Sequence, residues 1–201
     1  MHLKLLPFLF LSLCNAHDLI HVRNVHSSSI EIRLCYATEH NITHQKIYKS
    51  ADCCYMHKGC ARALLHVVQE LEQYGYGIVI WDAYQPRNEL EKIWRLLPDE
   101  KYITNPSKGD AHTCGMGLDV TLLDLMSRKE VEMPTPFDCI TMKAQCDCCE
   151  VVESVRERRE LLKAVMMKHG FVQKSQDPWW HFELDGWQDA EMPCISFDEL
   201  P

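Results

Sequence analysis

The chain has 201 residues, 46% hydrophobic and 25% charged, which suits a single domain with a full core. Its formal net charge of −8 excludes the basic surface that nucleic-acid phosphates require, so no nucleic-acid partner is expected.

In chain order, the first element is a leader over residues 1–16. Met1-His2-Leu3-Lys4 is a short basic start, Leu5 to Leu13 is apolar, and Cys14-Asn15-Ala16 offers small residues before His17-Asp18. That layout is a secretory signal peptide, which leaves a domain over residues 17–201 and predicts an exported protein of the periplasm or cell envelope. The alternative is a buried first strand or helix. Lipid attachment at Cys14 fits less well, because Leu13 is bulky. The apolar run is too short to span a bilayer, and no later segment is apolar and long enough to do so.

Ile30 to Tyr36 alternates as a strand, with Ile30, Ile32 and Leu34 on one side. Cys60 to Tyr74 has helical spacing in Ala61, Leu64, Leu65, Val68 and Leu71, and Gly75 and Gly77 bracket the turn that ends it. Gly77 to Ala83 is a buried strand, Arg87 to Leu97 a helix started by Pro86, and Leu118 to Leu123 a second apolar strand. Val151 to His169 is a charged helix stopped by Gly170. Phe171-Val172 and Trp179 to Leu184 are strand-like. Helices and strands mix without regular alternation, which predicts an α+β fold.

Eleven cysteines are present, and Cys14 would leave with the leader. The other ten are Cys35, Cys53, Cys54, Cys60, Cys114, Cys139, Cys146, Cys148, Cys149 and Cys194. An even number in an exported chain predicts disulfides, with a pairing that spacing does not reveal. Cys146-Asp147-Cys148-Cys149 has a second reading as a soft-metal site, although it lacks a second CxxC at finger-like spacing. Cross-linking between chains is a third.

Chemistry concentrates in Gly109 to Asp119, with His112, and in Asp177 to Glu183, with His181. Two imidazoles and a carboxylate make a common catalytic zinc set that leaves a fourth position for water. Taken singly, a histidine beside tryptophans is more often a packed core residue, and Asp119 at a strand end is a plain turn cap.

Read together, the segments resemble the zinc D-Ala-D-Ala dipeptidases, the family of the vancomycin-resistance dipeptidase, related to other D-alanyl-D-alanine peptidases and to the hedgehog signalling domain. The family pattern is a His, an Asp seven residues later, and a distant Trp-Trp-His; His112, Asp119 and His181 fit it. Arg33-Leu34-Cys35-Tyr36-Ala37-Thr38, Trp81-Asp82-Ala83-Tyr84, Met133-Pro134-Thr135-Pro136-Phe137-Asp138 and Leu161-Leu162 through His169-Gly170-Phe171 are similar to further family stretches. The resemblance runs from about Leu19 to Trp187. It implies a central, mostly antiparallel sheet packed by helices, a bound Zn2+, and hydrolysis of the dipeptide D-alanyl-D-alanine. It also implies that Asp138 binds the dipeptide's free amino group, where the plain alternative is a turn cap.

Two positions depart from the family. Its general base, a Glu three residues before the last zinc-binding His, is replaced by Pro178, and an Arg that stabilises charge on the scissile carbonyl is replaced by Gln85. Losing the base removes ~10²–10⁴ in rate and losing the charge ~10²–10³. Asp177 and Glu183 are candidate replacement bases. On an extended strand both share a face with His181, Glu183 roughly 6–7 Å away and Asp177 ~13 Å. Arg87 is a candidate for the missing positive charge. The plain reading of all three is a solvated or salt-bridged surface residue. Three functions therefore stand: an active dipeptidase, a zinc- and peptide-binding pseudoenzyme, and a cysteine-rich structural protein of the envelope.

Overall fold

The computed structural model describes residues 18–201, so the leader expected over residues 1–16 lies outside the described residues. The described strands are β1 (Leu19–His21), β2 (Ile30–Ile32), β3 (Tyr55–His57), β4 (Tyr76–Asp82), β5 (Gly117–Asp124), β6 (Lys129–Glu130), β7 (Phe171–Val172) and β8 (His181–Leu184). The helices are α1 (Lys58–Leu71), α2 (Arg87–Leu96) and α3 (Glu153–Lys168).

The two apolar runs, β4 and β5, pair antiparallel along almost their whole length and form the middle of the main sheet. The strand order is β2-β4-β5-β8-β7, with β6 folding back on the end of β5. Only the β2–β4 pair is parallel; the others are antiparallel. β1 and β3 form a separate antiparallel pair. Helix α1 buries Cys60, Ala61, Leu64, Val67, Val68 and Leu71, the stripe its spacing predicts. It packs on β4 and α3, and ends through a short 3-10 turn at Gly75, whose φ of 81° is open to glycine at no steric cost. One apolar core runs between sheet and helices, with Trp179, Tyr48, Phe171 and Phe182 among its fully buried rings.

Two strands are shorter than their alternation predicts. β2 stops at Ile32, and Cys35–Ala37 is a 3-10 turn. The Asn41 amide donates to the carbonyls of Thr38 and Gln45, both at 2.8 Å, and the Thr38 hydroxyl donates to Cys35 O at 2.9 Å. These local side-chain bonds offer the backbone an alternative to the ladder. β8 begins at His181 rather than Trp179. Pro178 has no N–H to give, and the Gln173 amide draws the carbonyls of Pro178, Trp179 and His181 into a turn at 3.2, 3.2 and 2.9 Å.

The ten described cysteines are all free thiols, with Cys54, Cys60, Cys114 and Cys146 buried. Among the described residues, no helix is long and apolar enough to cross a membrane.

Candidate metal site

Strand register makes the site. Asp119 on β5 and His181 on β8 are directly paired, and Gly117 faces Glu183 one pleat away. Side chains alternate along a strand, so Asp119, His181 and Glu183 share one face. On the other side of β5 the register with β4 slips between Ile80 and Asp82, which brings Asp82 opposite Asp119. Such a bulge re-aims a side chain.

His112 arrives from the loop before β5. Asp110 and Thr113 close that loop reciprocally: Thr113 N–H donates to Asp110 Oδ1 at 2.9 Å and Asp110 N–H to Thr113 Oγ1 at 2.8 Å. Both Met116 and Gly117 N–H donate to Ala111 O at 2.8 Å, folding His112 over the start of β5. Gly117 permits the approach, since a Cβ there would lie 2.7 Å from the His112 nitrogen and 2.9 Å from its ring.

The three side chains converge. His181 Nδ1 lies 2.9 Å from Asp119 Oδ1 and 3.2 Å from His112 Nε2, and His112 Nε2 lies 3.5 Å from Asp119 Oδ1. His112 Nδ1 is 2.7 Å from the carbonyl of Ala83, which only accepts, so Nδ1 carries a proton and Nε2 is the nitrogen turned to the cluster. Behind His112 sits Asp82, 3.9 Å from Nδ1, accepting from the Tyr48 hydroxyl at 2.9 Å. Burial pushes the Asp82 carboxyl up to about 7, with the charge of Asp119 adding to the effect. Burial acts against charge on His181 too, yet its contacts with Asp119 and Glu183 outweigh that and raise it to about 9. Asp119 goes the other way: burial opposes its charge, but the two imidazoles hold it well below the usual carboxylate range.

This donor set fits a divalent metal ion. Among the described residues, His112, Asp119 and His181 form a group of three potential ligands whose donor atoms lie within 4.8 Å of one another. A fixed tautomer, mixed N and O donors and carboxylates beside the imidazoles are the features a zinc-type site needs. The thiols of Cys146 to Cys149 form no such group; Cys146 is buried with its thiol on Lys174 O at 3.2 Å, and Cys149 is exposed.

The remaining candidates fall in different places. Glu183 is buried on the far side of His181, with Oε1 3.5 Å from Nε2. Its Oε2 accepts from Lys174 Nζ at 3.0 Å and Trp187 Nε1 at 2.8 Å. Asp177 turns back on its own loop, accepting from Lys174 N–H at 2.7 Å. Gln85 is buried, and its amide donates to the Tyr48 hydroxyl at 2.9 Å and to Asp82 at 3.3 Å. Arg87 is exposed at the start of α2 and faces Glu91 at 3.7 Å. Asp138 has a φ of 54° and accepts from Ile42 N–H at 2.9 Å. Its loop is tied to the His181 segment by Trp179 Nε1, which donates to Thr135 at 3.0 Å. Asp82, Tyr48 and Lys174 were not singled out from sequence. A polar residue ending the apolar run of β4 is the one sequence signal that marks Asp82.

Comparison with known proteins adds independent support. A family model described as D-ala-D-ala dipeptidase matches residues 15–197. The D-alanyl-D-alanine dipeptidase of Escherichia coli is 34% identical over 167 residues, covering 83% of this chain and 84% of that protein. Those of Enterococcus faecalis and Enterococcus faecium are 26% and 27% identical, covering 63% and 69% of this chain and 71% and 75% of their own lengths. The mixed sheet-and-helix domain, the gathered His-Asp-His cluster and these matches together place the chain in the D-Ala-D-Ala dipeptidase family, with a peptidase function and a small peptide as substrate.

Proposed function

We propose that the protein is an exported zinc dipeptidase of the cell envelope that hydrolyses D-alanyl-D-alanine, at a rate held down by Pro178 and Gln85. The observation that carries the reading is the convergence of His112 Nε2, Asp119 and His181 Nδ1, with the tautomer of His112 fixed by Ala83. These three residues would hold the ion. When bound, zinc supplies a Lewis acid that polarises the peptide carbonyl and acidifies water. Asp138 receives the substrate ammonium by a charge-assisted bond. The Ala83 carbonyl orients the His112 imidazole and Glu183 that of His181, and Glu183, already held by Lys174 and Trp187, serves as a positioning residue rather than the base. Gln85 gives its amide protons to Tyr48 and Asp82 and carries no charge to the carbonyl. Export is supported by the layout of residues 1–16 and by the even number of remaining cysteines.

The experiment is hydrolysis of D-Ala-D-Ala by the purified, zinc-loaded chain beside its Pro178→Glu variant. A carboxylate restored near the reacting water raises the rate ~10²-fold or more, and Gln85→Arg in the same chain adds to the gain. A wild type already as fast as the double variant refutes the proposed handicap. No hydrolysis by any of them, with zinc and peptide bound, favours the second reading, a zinc- and peptide-binding pseudoenzyme, for which the proline at the base position is the specific observation.

A further inference from the structure

A cavity of about 840 Å³ opens between the Arg33–His44 segment and the Asp138 loop. Pockets of roughly 300–1,000 Å³ accommodate drug-sized ligands, so this one exceeds what a dipeptide with two methyl side chains fills. Asp138 lies in its wall, together with Leu34, Ile42, Trp81, Phe137 and Ile140. The aromatic part of that wall is packed ring against ring. Phe137 meets Trp81 edge-on at 5.6 Å and Tyr36 at 5.9 Å. Of the charged residues in the wall, Arg33 and Glu130 are paired with each other at 3.0 Å, and Glu39 is exposed.

Asp138 is the exception. Its carboxylate accepts from Ile42 N–H at 2.9 Å, and among the described residues no cation pairs with it. A carboxylate has about four lone-pair positions, so one accepted bond leaves room for an ammonium. Burial pushes its carboxyl up to about 7, the condition that an incoming positive charge relieves. The backbone is also held in an uncommon state here: His44 and Asp138, both in this wall, have φ of 52° and 54°. Non-glycine residues in that region cluster at ligand sites.

We propose that this cavity seats the substrate's amino-terminal side chain, and that the protein prefers dipeptides whose first residue is large and apolar, with the free amino group on Asp138. The proposal rests on the peptidase reading above and narrows its substrate class. A buried aromatic or branched side chain gains about tenfold to hundredfold in affinity over a methyl group.

The test is calorimetric titration of the zinc-loaded full chain with D-Ala-D-Ala, D-Phe-D-Ala and N-acetyl-D-Phe-D-Ala, with hydrolysis followed in parallel. D-Phe-D-Ala is expected to bind at least about tenfold tighter than D-Ala-D-Ala, and the acetylated form to lose that gain. Ile140→Trp, at a half-exposed position of the wall, fills the cavity and is expected to bring D-Phe-D-Ala down to the affinity of D-Ala-D-Ala. Equal or weaker binding of D-Phe-D-Ala by the wild type overturns the proposal. So does a preference that survives acetylation or Ile140→Trp. Tight binding of D-Phe-D-Ala without hydrolysis overturns the peptidase reading and leaves the cavity assignment standing. Hydrolysis of D-Ala-D-Ala with no gain for D-Phe-D-Ala does the reverse.

Discussion

Glu183→Gln separates two roles for one carboxylate. The side chain lies 3.5 Å from His181 Nε2, on the opposite edge of the ring from the nitrogen that faces Asp119 and His112. Its other oxygen is bound to Lys174 and Trp187, so it is held in place without the metal. Gln keeps the length and one acceptor, and removes the charge that makes His181 a better donor. Loss of an outer partner of this kind costs ~10–100-fold in metal affinity, or about 1.4–2.8 kcal/mol. Competition with a graded series of chelators measures that affinity, and Lys174, already largely exposed, finds water in place of its partner. Unchanged zinc affinity combined with abolished hydrolysis would refute the positioning role and make Glu183 the base.

His112→Ala and His181→Ala should each lose stoichiometric zinc by metal analysis; unchanged content in both removes the assignment. Gly117→Ala drives a methyl to 2.7 Å from the His112 backbone and should cost about 1–3 kcal/mol in chemical denaturation, together with the metal site. The pKa of His181 is raised to about 9 in the metal-free fold, above its unfolded value near 6.5. Its contribution is therefore fully present below about 6.5 and lost as pH rises towards 9. The thermal midpoint of the metal-free chain should fall across that window, while zinc affinity rises because fewer protons must be displaced.

Much of this architecture was legible because it repeats locally. The stripe on α1 and the apolar runs of β4 and β5 have periods that residues a few positions apart reveal. The metal cluster was legible as a pattern, since the seven-residue spacing and the Trp-Trp-His segment were set beside a known family. The rest depends on contacts between distant segments. β1 and β3 are three residues each, too short for any period. Asp82 reaches the back of His112 only because the ladder slips after Ile80. Strand parity put Glu183 on the His181 face, as found, but said nothing of Lys174 or Trp187 crowding its second oxygen. The same parity applied to Asp177 had no meaning, because Gln173 folds the chain at Pro178.

The long separations inside the cluster also set the order of assembly. Asp119 and His181 stand 62 residues apart in the chain, and His112 and His181 stand 69 apart. No local segment brings any of these pairs together, and loop closure of that span must be met before an ion finds three donors. An ion held there would thus be a late arrival. Excess zinc should lengthen the lifetime of the finished domain, slowing its unfolding limb, and leave the rate of refolding nearly unchanged. A chain that crosses a membrane unfolded would take up its metal on the far side.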